Sequence, residues 1–107
     1  MPRWLPRVLS RIHILAADRR ICFTLKARRE LALLGDGLDE DDARELLAAL
    51  TAQDSAGRLK SRETGEWMYI FKPRVEMTVI YVKVIVRSNC VVVSFHTDEG
   101  AGHDEDP

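Results

Sequence analysis

The stretch Met77-Thr78-Val79-Ile80-Tyr81-Val82-Lys83-Val84-Ile85-Val86-Arg87-Ser88-Asn89-Cys90-Val91-Val92-Val93-Ser94-Phe95-His96 decides the fold. It is dense in β-branched and aromatic residues and broken once by a turn dipeptide, which predicts two strands, 77–87 and 90–96. Ser88-Asn89 suits a two-residue hairpin turn. That turn sets Val86 opposite Val91, Val84 opposite Val93 and Val82 opposite Phe95. All six are apolar and belong on a core-facing side. The other side then pairs Ile85 with Val92, Lys83 with Ser94 and Tyr81 with His96. A one-residue slip would mix the two sets, so the pattern argues for this register.

The same reasoning extends upstream to strands near 58–62 and 66–72. A four-residue loop, Pro73-Arg74-Val75-Glu76, sets Lys72 opposite Met77, Ile70 opposite Val79 and Met68 opposite Tyr81. Trp67, Tyr69 and Phe71 then point to the core. Glu63-Thr64-Gly65 suits a three-residue loop with Gly65 in the left-handed region. That loop sets Lys60 opposite Met68. Lys60, Met68, Tyr81 and His96 would thus form one row across four strands of an antiparallel meander. Lys72, Lys83, Ser94 and Arg62 flank the row.

The first half reads as helical. Pro6 suits a first turn, and Val8, Ile12, Leu15 and Ala16 follow at helical spacing. Ile21-Cys22-Phe23 reads as a brief strand. Thr24 caps a second helix with the apolar face Ala27, Leu31 and Leu34, ended by Gly35 and Gly37. Asp39 caps a third, with Glu40, Asp41 and Asp42 at its positive end and Ala43, Leu46, Leu47 and Leu50 on its buried face. The expected fold is α+β, with N-terminal helices packed on one face of a curved antiparallel sheet. Residues 1–97 form one domain in this reading. Residues 98–107 form an acidic tail of low hydrophobicity, expected to be disordered.

A chain of 107 residues, 46% hydrophobic and 31% charged, builds one core. No apolar run approaches the roughly 20 residues of a membrane span. Met1-Pro2-Arg3-Trp4-Leu5-Pro6-Arg7 lacks the continuous apolar stretch of a signal peptide, so the cytoplasm is the expected compartment. Cys22 and Cys90 follow no metal spacing and are expected as two buried free thiols. No metal-ligand cluster, phosphate-binding glycine loop or Ser/His/Asp arrangement occurs, so no cofactor is expected. The net charge of −1 hides a segregated pattern: 8 basic and 2 acidic groups in 1–35, 1 and 7 in 36–56, 7 and 3 in 57–96, and 5 acidic with no basic groups in 97–107. Basic segments of this kind meet phosphate as readily as they meet water.

The predicted row has the parts that metal-free RNA cleavage needs. A base takes the proton from the ribose 2′-hydroxyl, a cation stabilises charge on the phosphate, and an acid protonates the leaving 5′-oxygen. His96 serves as base or acid near neutral pH. Tyr81 orients the 2′-hydroxyl or donates a proton, and Lys60 and Lys83 hold the phosphate. The alternative is an ordinary water-facing sheet surface, which is polar without any ligand. His13 reads as a helix-surface residue, His103 lies in the tail, and Trp4 and Trp67 read as core or rim.

Lys60-Ser61, Trp67, Phe71-Lys72-Pro73-Arg74, Tyr81-Val82-Lys83-Val84 and Val91-Val92-Val93-Ser94-Phe95 resemble the second half of MqsR-type toxins. The resemblance covers about residues 57–96, and over 1–56 mainly the order of helices agrees. It implies a RelE/YoeB-like fold and an endoribonuclease that cleaves mRNA without the ribosome. It also implies a cognate antitoxin, often a zinc-containing protein with a helix-turn-helix domain, so that DNA is met only through that partner. The site of the family is a lysine, a glutamine, a tyrosine and a second lysine. The first lysine falls on Lys60 and the tyrosine on Tyr81. The glutamine position holds Met68, which supplies no amide, and the last lysine position holds His96. Catalytic roles are thus expected for Lys60, Tyr81 and His96, and RNA contacts for Arg62, Met68, Lys72, Arg74, Lys83 and Ser94.

Overall fold

The computed structural model describes residues 1–34 and 37–98. It is α+β: helices α1 (Trp4–Ala17), α2 (Leu25–Leu33) and α3 (Glu40–Ala48), and strands β1 (Ile21–Phe23), β2 (Ser55–Lys60), β3 (Trp67–Phe71), β4 (Arg74–Val75), β5 (Thr78–Val86) and β6 (Cys90–Thr97). Gly35 and the acidic segment 99–107 lie outside the described residues.

Each helix starts and stops for a local reason. Pro6 sits in the first turn of α1, and Leu5, Leu9, Ile12, Leu15 and Ala16 form its buried stripe. No glycine ends this helix. Instead Arg19 takes the left-handed conformation at φ 60. Its N–H donates to the Ala16 carbonyl and that of Arg20 to the Leu15 carbonyl, the paired bonds of a Schellman stop. The Thr24 hydroxyl accepts from the Ala27 N–H to open α2. Asp39 and Asp42 exchange side-chain-to-backbone bonds of 2.9 Å to open α3.

Five strands run in the order β1-β6-β5-β3-β2, and β4 pairs with the far end of β5. The sheet is mixed, which corrects the expected antiparallel meander. β1 runs parallel to β6, with Ile21, Cys22 and Phe23 beside Cys90, Val91 and Val92. Bonds from the Cys90 N–H to Arg20 and from the Thr24 N–H to Val92 lengthen this short ladder. A parallel partner needs a long crossover, here residues 24–89, and no turn signal announces it.

The three predicted hairpins met different fates. Between β2 and β3 the turn is one residue longer than expected. Ser61 and Glu66 bridge at 2.8 Å, and Gly65 is left-handed as expected, at φ 76. Lys60 therefore pairs with Trp67, and Leu59 with Met68. Between β3 and β5 the expected loop 73–76 is instead pairing backbone: Arg74 lies opposite Val79 and Val75 opposite Thr78. The chain reverses at Glu76-Met77, with Glu76 at φ 56. The register that follows is Phe71 with Val82, Ile70 with Lys83 and Tyr69 with Val84. Between β5 and β6 the loop has three residues, 87–89, so Val86 meets Cys90 and Val84 meets Val92 rather than Val93. A bulge at Val93 absorbs the extra residue. Beyond it Lys83–Ser94, Val82–Phe95 and Tyr81–His96 pair as expected.

Phe71, Val82, Val84, Val92 and Phe95 are fully buried on the helix side of the sheet, in one core with Leu5, Ile12, Leu15, Ala27, Leu31, Ala43 and Leu47. Tyr69 packs at its margin against Trp4, ring centroids 5.3 Å apart. His13 is not merely a surface residue, since its Nε2 lies 2.8 Å from the Leu50 carbonyl and ties α1 to the end of α3. Only one thiol is buried. Cys90 is in the core, whereas Cys22 alternates outward from an edge strand and is exposed; both are free. Burial pushes the Cys90 thiol up to about 12.

Candidate functional site

Side chains alternate along a strand, so residues next to Val82 and Val84 face away from the core. Tyr81, Lys83 and Ile85 are therefore on the outer face, with their partners His96, Ser94 and Val91 and, on β3, Met68, Ile70 and Lys72. Ile70 and Ile85 are each 8% exposed and stand apart from the main core, as expected for neighbours shielding one another on that outer face. The face has two halves. Met68, Ile70, Ile85 and Val91 make one half apolar. Lys72, Arg74, Tyr81, Lys83 and His96 make the other aromatic and cationic.

The Tyr81 and His96 rings stack at 4.9 Å with an interplanar angle of 9°. Lys72 Nζ and Lys83 Nζ each lie 6.0 Å from the Tyr81 ring centroid. Lys72 comes from the end of β3, where the register continues to bring it beside Tyr81, and Lys83 from two residues along β5. His96 Nδ1 is 2.9 Å from the Thr97 carbonyl. A carbonyl has no proton to give, so this bond needs the proton on Nδ1 and leaves Nε2 as the basic nitrogen of the neutral ring. Asp98 closes one side, its carboxylate 3.5 Å from Lys72 Nζ.

Lys60 does not join this group. The one-residue change in the β2–β3 turn moves it to the helix side, where its Nζ lies 4.8 Å from the Trp67 ring. Arg58 is on the same side, with its guanidinium 3.8 Å from the Trp67 ring centroid and 4.9 Å from that of Trp4. This cation–aromatic stack accounts for both tryptophans as rim residues. Met68 stays on the outer face. The four-residue shift of β3 against β5 sets it near Ile85, about 13 Å along the strand from Tyr81 at a rise of about 3.3 Å per residue. Arg62 lies in the β2–β3 loop, at the opposite end of β3 from Lys72. Ser94 is 2% exposed, and its hydroxyl accepts from Lys26 Nζ at 2.9 Å, so it is engaged within the protein.

Lys26 and Glu30 were missed by the sequence reading. Both lie on α2, which runs along β6 beyond the short β1. Lys26 also reaches the Val93 carbonyl at 3.4 Å, Glu30 accepts from the Phe95 N–H at 2.9 Å, and the two side chains pair with each other at 2.9 Å. They satisfy the part of the β6 edge that β1 leaves open. Their four-residue spacing was the available signal.

In the cationic half Lys72 and Arg74 are exposed, and Tyr81, Lys83 and His96 are half-buried. Two grooves lie on the helix side, one of roughly 500 Å³ along Arg7, Val8, Arg11, Ile14 and Tyr69. A second runs beside Leu5, Ala52 and Gly57. Among the described residues no group of His, Cys, Asp and Glu is arranged to hold a metal ion, and no helix is long and apolar enough to cross a membrane. Compared with known protein families and with curated proteins, the chain matches none.

Proposed function

We propose that this protein is an endoribonuclease of the MqsR toxin type, with a RelE-like arrangement of helices on one face of its sheet. The observation that carries the reading is the stacked Tyr81–His96 pair flanked by Lys72 and Lys83 on an open face. An extended polymer suits an open face better than a closed pocket does. Two ammonium groups beside one ring offer point charges for adjacent phosphates.

The chemistry follows from the atoms present. His96 Nε2 takes the proton of a ribose 2′-hydroxyl. The 2′-oxygen attacks the adjacent phosphorus, and the bond from phosphorus to the 5′-oxygen breaks. The Tyr81 hydroxyl supplies the proton to that oxygen, and the His96 proton returns to Tyr81 through solvent. The products are a 2′,3′-cyclic phosphate and a 5′-hydroxyl. Lys72 and Lys83 stabilise the charge that grows on the phosphate. Lys60 has no part in this scheme, because it sits over Trp67 on the other side of the sheet. On this reading an antitoxin silences the enzyme in the cell.

Incubation of purified protein with mixed-sequence single-stranded RNA in EDTA tests the proposal. Cleavage that leaves 5′-hydroxyl ends, and that disappears in His96→Ala, is the expected result. Intact RNA with a folded wild-type protein would overturn it. Salt-sensitive RNA binding without cleavage would favour a binding module. Met68 at the glutamine position and the displaced Lys60 are the observations on that side.

A further inference from the structure

Helix α1 has two stripes. Leu5, Leu9, Ile12, Leu15 and Ala16 are buried in the core. Arg7, Arg11 and Ile14 follow one another at i, i+4 and i+7 on a second stripe and are exposed, Ile14 to 51%. That stripe is one wall of the groove of roughly 500 Å³, and Val8, Tyr69 of β3 and Val86 of β5 line the rest. No carboxylate lines this groove, and α1 has no acidic residue from Trp4 to Ala17. Arg28, Arg44 and Arg87 hold Glu40, Asp41 and Glu66. Among the described residues, Arg7 and Arg11 pair with no carboxylate. The positive rim continues past Tyr69, which packs on Trp4, to the Arg58 guanidinium 4.9 Å from the Trp4 ring centroid.

We infer that this groove docks an acidic amphipathic helix of a partner protein, with apolar side chains against Val8, Ile14, Tyr69 and Val86 and carboxylates on Arg7 and Arg11. Charge complementarity sets the sign of the partner, because the lining offers two guanidinium groups and no anion. Spacing sets its form. Arg7 and Arg11 stand one helical turn apart, about 6 Å along the axis, and carboxylates at i and i+4 of a second helix have the same separation. Each guanidinium can grip a carboxylate with two parallel N–H bonds. The apolar lining supplies the burial that an ion pair on a surface lacks, and anchors at helical spacing are how amphipathic helices fill such grooves. Nucleic acid suits the groove less well. Its lining is mostly aliphatic, and its one ring, Tyr69, is already packed on Trp4 rather than free to stack on a base. The inference does not depend on the function proposed above. The groove lies on the helix side of the sheet and the Tyr81–His96 pair on the other, so a docked helix leaves that pair uncovered.

The test pans a displayed library of random 16-residue peptides against the full chain, then synthesises the most enriched peptide and measures its affinity by calorimetry. Enriched peptides are expected to carry Asp or Glu beside Leu, Ile or Phe at helical spacing. Affinity should fall at least about tenfold in the double variant Arg7→Gln and Arg11→Gln, the weight of a lost charge-assisted contact, and also in Ile14→Ser. These side chains are exposed, and thermal midpoints close to wild type verify that both variants fold. Failure to enrich acidic amphipathic peptides would overturn the inference. So would a peptide whose affinity is kept in both variants but lost in Lys72→Gln with Lys83→Gln, since its site would then be the outer face. A fall in affinity for a short single-stranded RNA in the Arg7 and Arg11 double variant would also overturn it, because the stripe would then be a nucleic-acid track. Dimers of the wild type in sedimentation that dissociate in Ile14→Ser would overturn it too, since a second copy would then cover the groove. Peptide binding lost in both groove variants, with no RNA cleavage by the wild type, would support the docking and overturn only the ribonuclease reading.

Discussion

Tyr81 and His96 sit directly opposite each other on neighbouring antiparallel strands, and their rings stack 9° from parallel at 4.9 Å. The contact depends on register: a shift of one residue on either strand would send one ring into the core and the other to solvent. It depends equally on the bulge at Val93, which returns β6 to phase after a three-residue loop.

If that pair performs the cleavage, the two rings separate stacking from chemistry. His96→Ala is expected to lower the RNA cleavage rate by roughly 10²-fold or more, the usual weight of a general acid or base. Tyr81→Phe keeps an aromatic face for His96 and removes only the hydroxyl. Its rate should fall while its thermal midpoint stays close to wild type. Single-turnover rates and thermal unfolding of both variants check this.

Lys72 and Lys83 are expected to act on RNA as phosphate contacts, and Lys60 is not. Lys72→Gln or Lys83→Gln should each lower the slope of log affinity against log salt by about 0.7 for a single-stranded RNA. Lys60→Gln should leave the slope unchanged. A salt titration of binding by the three variants decides it. An effect confined to Lys60→Gln would return the site to the helix side of the sheet.

The loop between β2 and β3 is latched to the β5–β6 hairpin by a bidentate pair, Arg87 Nε to Glu66 at 2.8 Å and Arg87 Nη2 to Glu66 at 2.6 Å. The Arg87 hydrogen bonds hold the Glu66 carboxyl down at about 2, from an ordinary 4.5. A carboxylate lowered on folding stabilises the protein above its unfolded value, and that stabilisation is lost as pH falls through the folded value. Wild type should therefore lose more stability than Glu66→Gln between pH 4.5 and 2. Urea midpoints measured across that window should converge toward the acid end.

Arg19 closes α1 in a conformation that L-residues adopt at a cost. Arg19→Gly should stabilise the protein by about 0.5–1 kcal/mol, relief at the left-handed position outweighing the extra freedom glycine gives the unfolded chain. A destabilised Arg19→Gly in chemical denaturation would mean that the arginine side chain contributes more than the strain removes.

The two thiols should differ sharply in reactivity. Cys22 is exposed on β1, and Cys90 is buried with its thiol pushed up to about 12. A thiol reagent is expected to modify one cysteine in the native protein and the second only on unfolding. Mass spectrometry of the partly labelled chain should locate the first label on Cys22.

Much of this architecture was legible in the sequence. Caps at Thr24 and Asp39, the stripe through Ile12, Leu15 and Ala16, and the left-handed Gly65 are local effects, decided within a few residues. The Tyr81–His96 and Lys83–Ser94 pairs were legible as well, because beyond the bulge core residues Val82 and Phe95 alternate with Tyr81, Lys83, Ser94 and His96. The loops were less legible. Ser61-Arg62-Glu63-Thr64-Gly65-Glu66 has turn chemistry throughout, and nothing local says where pairing resumes. An error of one residue there exchanged the two faces and misplaced Lys60. An error of four at Pro73–Glu76 kept the face and misplaced Met68, which left Lys72 in its stead.

By itself, the sequence determined the three helices and, on β3 and β5, which side of the strand meets the core, since periodicity and caps act over one or two turns of chain. Tertiary structure alone decided that β1 runs parallel to β6, that Lys26 and Glu30 of α2 serve the rest of that edge, and that Lys72 rather than Lys60 stands beside Tyr81. The reason is physical: the free energy of a strand pair depends on its alternating side chains and barely on the length of the loop that joins them. Register and partner are therefore settled only when the whole core closes.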